Sequence, residues 1–219
     1  IELPVVLFNG VYLADFHTGN ILKHTQFIDK EVVDSMLGLA QINNIEPFIY
    51  TYGDKHLVYF RRINNLGAQA YLDIISSEQR AHKVDSFSFP ISEHISGFLL
   101  IDTQEALEPV NAKLKSLYEN ELNIYFAPDV SNPEFCWLQS FHQEANKGKM
   151  LTHMVEHLSI PISNTVVFGD YLNDLDMFRV AGYSIAMQNA LPEVKSLADR
   201  VISSNIDQGV ILYLESLFE

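Results

Sequence analysis

Asp170, Asn173 and Asp174 follow directly on the apolar run Val166-Val167-Phe168-Gly169. Three and four residues is the spacing that stacks side chains on one face of a helix. Two carboxylates and an amide can therefore converge at one point. Hard oxygen donors of this kind suit Mg²⁺, which keeps several waters and a substrate phosphate in its shell. Gly169 would let the backbone turn sharply before them. The same residues also make a plain polar helix start, with an Asp as N-cap and the others solvated in the first turn. The segment alone does not separate these two uses.

Two further segments bear on the choice. Asn146-Lys147-Gly148 opens a helix. A lysine there, beside free backbone N–H groups, can neutralise a phosphate. Taken singly, Lys147 is more simply a solvated lysine. Asn189, in Ala186-Met187-Gln188-Asn189-Ala190, follows another short strand. It can contact a phosphate or make a turn.

The elements that must position these residues are readable from periodicity. After Lys147 the chain alternates helix (147–157), strand (165–168), helix (172–181), strand (183–187), helix (192–198), strand (200–202) and helix (207–217). Short apolar strands alternating with helices indicate a parallel sheet covered on both faces, and ligands bind beyond the carboxyl ends of such strands. Asp170 and Asn189 both fall there. Pro4 to Phe8 reads as a strand ended by the Asn9-Gly10 turn, and 11–22 as a hairpin. The middle of the chain has paired strands between helices. Strands are expected at 48–52 and 56–60 around the turn Gly53-Asp54, and a half-buried strand at 84–89. This gives an α/β unit of residues 1–24 and 136–219, interrupted by an α+β unit of 25–135. The stretch from Pro128 to Pro133 is the linker expected between them.

Together the ordered segments resemble the Cof-type members of the haloacid dehalogenase (HAD) superfamily. The resemblance is sharpest from Asn146 to Phe218. It rests on Asn146-Lys147-Gly148, Val166 to Asp174, Ala181-Gly182, Ala186 to Ala190, Ala198-Asp199 and Asp207-Gln208-Gly209-Val210. Leu3 to Gly10 is similar to the stretch before the cap insertion of that family. The implied fold is α/β, a HAD-like Rossmannoid parallel-sheet core, incomplete at its N-terminus, with an inserted α+β cap domain of type IIB. The implied activity is Mg²⁺-dependent hydrolysis of small phosphorylated metabolites through an aspartyl-phosphate. Lys147 would steady the phosphoryl group, and Asp170 would be a Mg²⁺ ligand. Asn173 would contact the phosphate. Asp174 would be the second acid, a metal ligand or the partner that orders Lys147. Asn189 and Asn9 are weaker candidates for substrate contact.

Asn146 and Gln188 depart from the family pattern, which often has Ser or Thr and Gly there. A larger departure concerns the nucleophile. Family members begin with a strand leading to Asp-x-Asp-x-Thr, whose first Asp attacks phosphorus. Here the first residue is Ile1, and the one Asp-x-Asp is Asp174-Leu175-Asp176, followed two positions on by Phe178. Lysine, Mg²⁺ and amides stabilise charge but do not supply a nucleophile. The expectation is that the nucleophile lies upstream of Ile1 and that these residues alone neither turn over substrate nor fold robustly. The alternative is a HAD-fold binding or regulatory protein without catalysis. The oligomeric state is not readable.

Composition narrows the partners. A formal net charge of -14 argues against nucleic acid and anionic membranes. No apolar run approaches the length of a membrane span. Cys136 is the one cysteine, which fits a reducing cytoplasm and a buried structural thiol. His153-Met154-Val155-Glu156-His157 matches a short zinc-protease pattern. An ordinary helix with exposed polar residues is the better reading.

Overall fold

The computed structural model describes residues 3–53, 56–77, 79–129 and 131–218. Asp54, half of the expected 53–54 turn, lies outside them. The chain forms two compact units: residues 1–25 with 145–219, and residues 26–144.

The first unit opens with an antiparallel meander of β1 (Val5–Leu7), β2 (Tyr12–Ala14) and β3 (Ile21–His24). Between β1 and β2 the backbone makes a tight turn, Phe8–Gly10. Phe8 and Asn9 are left-handed there, with φ of 51° and 54°. Asn tolerates this region because its short amide can bond locally.

The second unit contains α1 (Lys30–Ile42), β4 (Phe48–Tyr52), β5 (His56–Phe60), α2 (Leu66–Ser77), β6 (Ala81–Lys83), β7 (His94–Asp102), α3 (Gln104–Tyr118), β8 (Leu122–Pro128) and β9 (Cys136–His142). Its six strands run in the order β6-β5-β4-β7-β9-β8. Val32, Val33, Met36 and Ala40 of α1 join Leu107, Val110 and Leu114 of α3 over one face of this sheet. That is the i, i+3, i+4, i+7 stripe of an amphipathic helix. Thr103 caps α3, its side chain accepting from the Ala106 N–H.

The chain then returns to the first unit as α4 (Lys147–His157), β10 (Val166–Gly169), α5 (Leu175–Val180), β11 (Tyr183–Met187), α6 (Pro192–Leu197), β12 (Arg200–Ile202) and α7 (Gly209–Glu215). Strands β10, β11 and β12 pair in parallel. Leu151 and Val155 of α4, Val167, Phe178, Ala186 and Val194 build the hydrophobic cluster beside that sheet. The fold is therefore α/β with a parallel sheet in the unit that carries the expected site.

Five expectations change. The boundary placed at 135/136 moves to 144/145, because β9 pairs with both β7 and β8 in the six-stranded sheet. The other boundary shifts by one residue, to 25/26. Pro128 to Pro133 is no linker between units. It joins β8 to its antiparallel neighbour β9, with Val130 outside the described residues. Residues 84–89 form no strand. Their alternation instead turns Phe87 and Phe89 onto the α1–α3 cluster, and the strand lies just before them, as β6, parallel to β5. The 172–181 helix begins as a single 3₁₀ turn, Leu172–Asp174, before α5.

Candidate functional site

The carboxyl end of β10 carries the cluster. Asp174 is buried, and both of its oxygens accept hydrogen bonds. Oδ1 accepts from Lys147 Nζ at 2.6 Å. Oδ2 accepts the backbone N–H groups of Asp170 and Tyr171 at 2.9 and 3.1 Å. One side chain thus holds the lysine and shapes the loop that presents Asp170. The Asp174 side chain is 6% exposed and that of Lys147 30%. The pair is consequently shielded on the carboxylate side and open on the ammonium side.

Gly169 serves this arrangement by space rather than by a left-handed turn. A Cβ there would stand 2.6 Å from the Asp174 Cβ and 2.7 Å from its Oδ2, while the residue is absent from the positive-φ glycines. The sharp-turn reason for Gly169 is replaced by close approach.

Lys147 is placed by α4. Asn146 sits at the N-cap in extended conformation, and its Oδ1 accepts the Lys149 N–H at 2.7 Å. Asn is a favoured N-cap for this reason. Gly10 packs against the same helix start. Its φ is +98°, and a Cβ would lie 2.3 Å from the Asn146 carbonyl oxygen.

That contact brings Asn9 to the cluster. Asn173 Nδ2 donates to Asn9 Oδ1 at 2.6 Å, across 164 residues of chain. Asn173 Oδ1 is buried without a hydrogen-bond partner. A buried acceptor of that kind is costly unless something donates to it. Asn189 is engaged on both sides. Its Nδ2 donates to Asp170 Oδ2 at 3.3 Å, and its Oδ1 accepts from Ser204 Oγ and the Asn205 N–H, each at 3.1 Å. The Asp170 carbonyl accepts the Leu191 N–H at 3.1 Å. Ser204 and Asn205 are site residues that the sequence does not mark. A serine and an asparagine after a short strand carry no signal of their own.

All six predicted residues, Asn9, Lys147, Asp170, Asn173, Asp174 and Asn189, lie in this network. It divides them. Asp174 Oδ2 accepts two backbone N–H groups and Oδ1 accepts only Lys147, so Oδ1 is the oxygen of Asp174 with acceptor capacity to spare. Asp170 Oδ1 accepts nothing from the described residues. No group of three or more His, Cys, Asp or Glu able to hold a metal occurs among the described residues. Two carboxylates and one ammonium leave the cluster net negative, which favours a cation and disfavours a bare phosphate. The His153 ring nitrogen of the zinc-like pattern faces Lys23 Nζ at 3.1 Å and Glu156 Oε2 at 3.4 Å.

Comparisons with known proteins follow the same lines. The family model described as haloacid dehalogenase-like hydrolase matches residues 1–214. The 5-amino-6-(5-phospho-D-ribitylamino)uracil phosphatase YwtE of Bacillus subtilis is 26% identical over 99% of this chain and 79% of its own length. The pyridoxal phosphate phosphatase YbhA of Escherichia coli is 26% identical over 99% of this chain and 78% of its own. Among solved structures, the subclass IIB sugar phosphatase BT4131 shares the fold at a TM-score of 0.73 and 20% identity, covering 99% of this chain and 76% of that one.

Proposed function

Since the chain belongs to the haloacid dehalogenase-like hydrolase family, we propose that it serves a Mg²⁺-dependent phosphatase of small phosphorylated metabolites and carries that enzyme's metal- and phosphate-holding residues. The observation that carries this reading is the pairing of Lys147 with a buried Asp174 whose other oxygen orients the Asp170 loop.

Asp170 is the residue that would hold Mg²⁺, through the oxygen its neighbours leave free. The donor set fits, because Mg²⁺ is commonly bound by one or two carboxylates, with waters and phosphate oxygens completing its octahedron. Bound there, the ion would offset the charge of the phosphoryl group. Asn189 fixes the other oxygen of Asp170 and holds it to the Ser204 loop. In this reading it positions the metal ligand rather than the substrate. Lys147 has three N–H donors, of which Asp174 takes one. The others would be available to a phosphoryl oxygen. Asp174 keeps that lysine oriented. Asn173 has one amide hydrogen on Asn9 and a second for the phosphate, while its unpartnered Oδ1 accepts from a water or a substrate hydroxyl. Asn9 acts by orienting Asn173.

The reaction is phosphoryl transfer to a carboxylate. The carboxylate oxygen bonds to phosphorus, the bond to the leaving alkoxide breaks, and water then cleaves the aspartyl-phosphate. Neither acid of the cluster is suited to attack. Asp174 is tied to Lys147 and two amides, and Asp170 serves the metal. The attacking carboxylate is therefore one this cluster does not supply. The second unit would act as the cap that selects the substrate. The two bacterial relatives carry names of unrelated phosphomonoesters, which supports a small phosphorylated metabolite without choosing one.

The test is phosphate release from a panel of sugar phosphates, nucleotides and pyridoxal-type and flavin-type phosphates. It would use the protein as its gene encodes it, with and without Mg²⁺. Turnover is expected with Mg²⁺, and is expected to fall by roughly 100-fold or more in Lys147→Ala and Asp170→Asn. Turnover insensitive to chelation or to both variants counts against the reading. Mg²⁺-dependent phosphate binding without turnover would instead give a binding protein.

A further inference from the structure

The second unit contains a cationic cluster unrelated to the residues above. Glu46 is 7% exposed, just before β4. Two consecutive arginines after β5 close on it. Arg61 Nε and Nη2 donate to Glu46 Oε2 and Oε1, both at 3.1 Å. Arg62 Nε and Nη2 donate to Oε1 at 3.1 and 2.7 Å. A buried carboxylate needs one cation to cancel its charge. Two over-cancel it. Each guanidinium has five donors, and Glu46 occupies two, so both Nη1 groups are free among the described residues. Arg61 is further held over the Phe87 ring, 5.3 Å from its centroid.

Lys83 joins them through strand register. It ends β6, opposite Phe60 of β5, and has no described partner. Arg61, Arg62, Lys83, Val84 and Asp85 line an open hollow of about 430 Å³. Three cations against Glu46 and Asp85 leave a net positive charge there, in a chain of net charge -14. Arg61 is also a wall of a second hollow of about 180 Å³, lined by Leu37, Ala40, Gln41, Ile45, Pro47 and Phe87. The cluster sits at the β5 and β6 carboxyl ends, beside the start of β4. The chain enters and leaves this unit at the opposite end of the sheet, where Tyr52 pairs with His94 and His142 with Leu122.

We propose that Arg61, Arg62 and Lys83 form an anion site on the second unit for a small molecule bearing a terminal phosphate and an apolar group. The guanidiniums are pre-oriented by Glu46, so little freedom is lost on binding, and Arg forks match phosphate oxygens. Two guanidiniums and an ammonium converge on more oxygens than one carboxylate has, which favours phosphate. The apolar group rests in the hollow beside Phe87. Asp85 keeps the site from being a general polyanion surface.

The test uses isotope-labelled full chain and inorganic pyrophosphate, without Mg²⁺, followed by NMR. Saturable shifts are expected at the Arg61 and Arg62 Nε–H groups and the Lys83 amide. Lys83→Glu and Arg62→Gln are each expected to weaken binding by about tenfold or more. Shifts at the 169–174 amides, if any, are expected to titrate the same in wild type and variants. Lack of saturation at millimolar pyrophosphate overturns the proposal. So do shifts reproduced by sodium chloride at equal ionic strength, or affinity unchanged in Lys83→Glu, the variant that leaves Glu46 paired.

Discussion

Asp174 shows how one residue can do several jobs that the sequence presents as separate. As a name in the run Asn173-Asp174 it is a candidate metal ligand. In the fold it is the anchor of Lys147 and of the loop carrying Asp170. Removing the lysine leaves a buried carboxylate held only by backbone N–H groups. Lys147→Ala is therefore expected to lower stability by about 1–3 kcal/mol, toward the lower end because the ammonium is partly solvated. Urea denaturation measures this. A change within about 0.5 kcal/mol, the range of ordinary surface substitutions, would show that the pair does not matter to the fold. Asn189 is the parallel case. Its position after β11 was visible in the sequence, but its bonds to Asp170 and Ser204 were not.

At the scale of elements, the site depends on short connections at strand ends. The tight turn Phe8–Gly10 reaches Asn173 only because Gly10 lies against the start of α4. Gly10→Ala faces both a left-handed φ and a backbone carbonyl closer than any real Cβ contact. A cost of about 1–3 kcal/mol is expected. Loss of the Asn173–Asn9 bond should accompany it, seen as a shift of both side-chain amide signals by NMR. An unchanged melt with unchanged amide signals would show that the turn tolerates a side chain. The elements themselves were largely readable. Helix 147–157 and strands 183–187 and 200–202 fall where periodicity puts them. The 84–89 alternation misled, since alternating aromatics pack a loop against a core as well as they pack a strand.

For the whole molecule, the two units have separate hydrophobic clusters. Trp137 is the one tryptophan, in β9 of the second unit, with its indole N–H donating to Asp129 Oδ2 at 3.2 Å. It reports on that unit alone. Unfolding followed by Trp137 fluorescence and by far-UV circular dichroism is expected to give non-coincident transitions. Lys147→Ala should shift the dichroism transition and leave the fluorescence midpoint in place. Coincident transitions that shift together would show one cooperative unit.

The sequence by itself determined the family resemblance, the alternating elements of the last third and the identity of the clustered residues. These depend on local spacing: caps, apolar periodicity and side chains three or four positions apart. Only the tertiary structure decided that β9 belongs to the six-stranded sheet and that Asp174 binds Lys147. It alone decided that Asn9 meets Asn173 and that two arginines share Glu46. Each of these is a pairing between distant segments, set by strand register and burial, and no local pattern encodes which distant partner a polar side chain will meet.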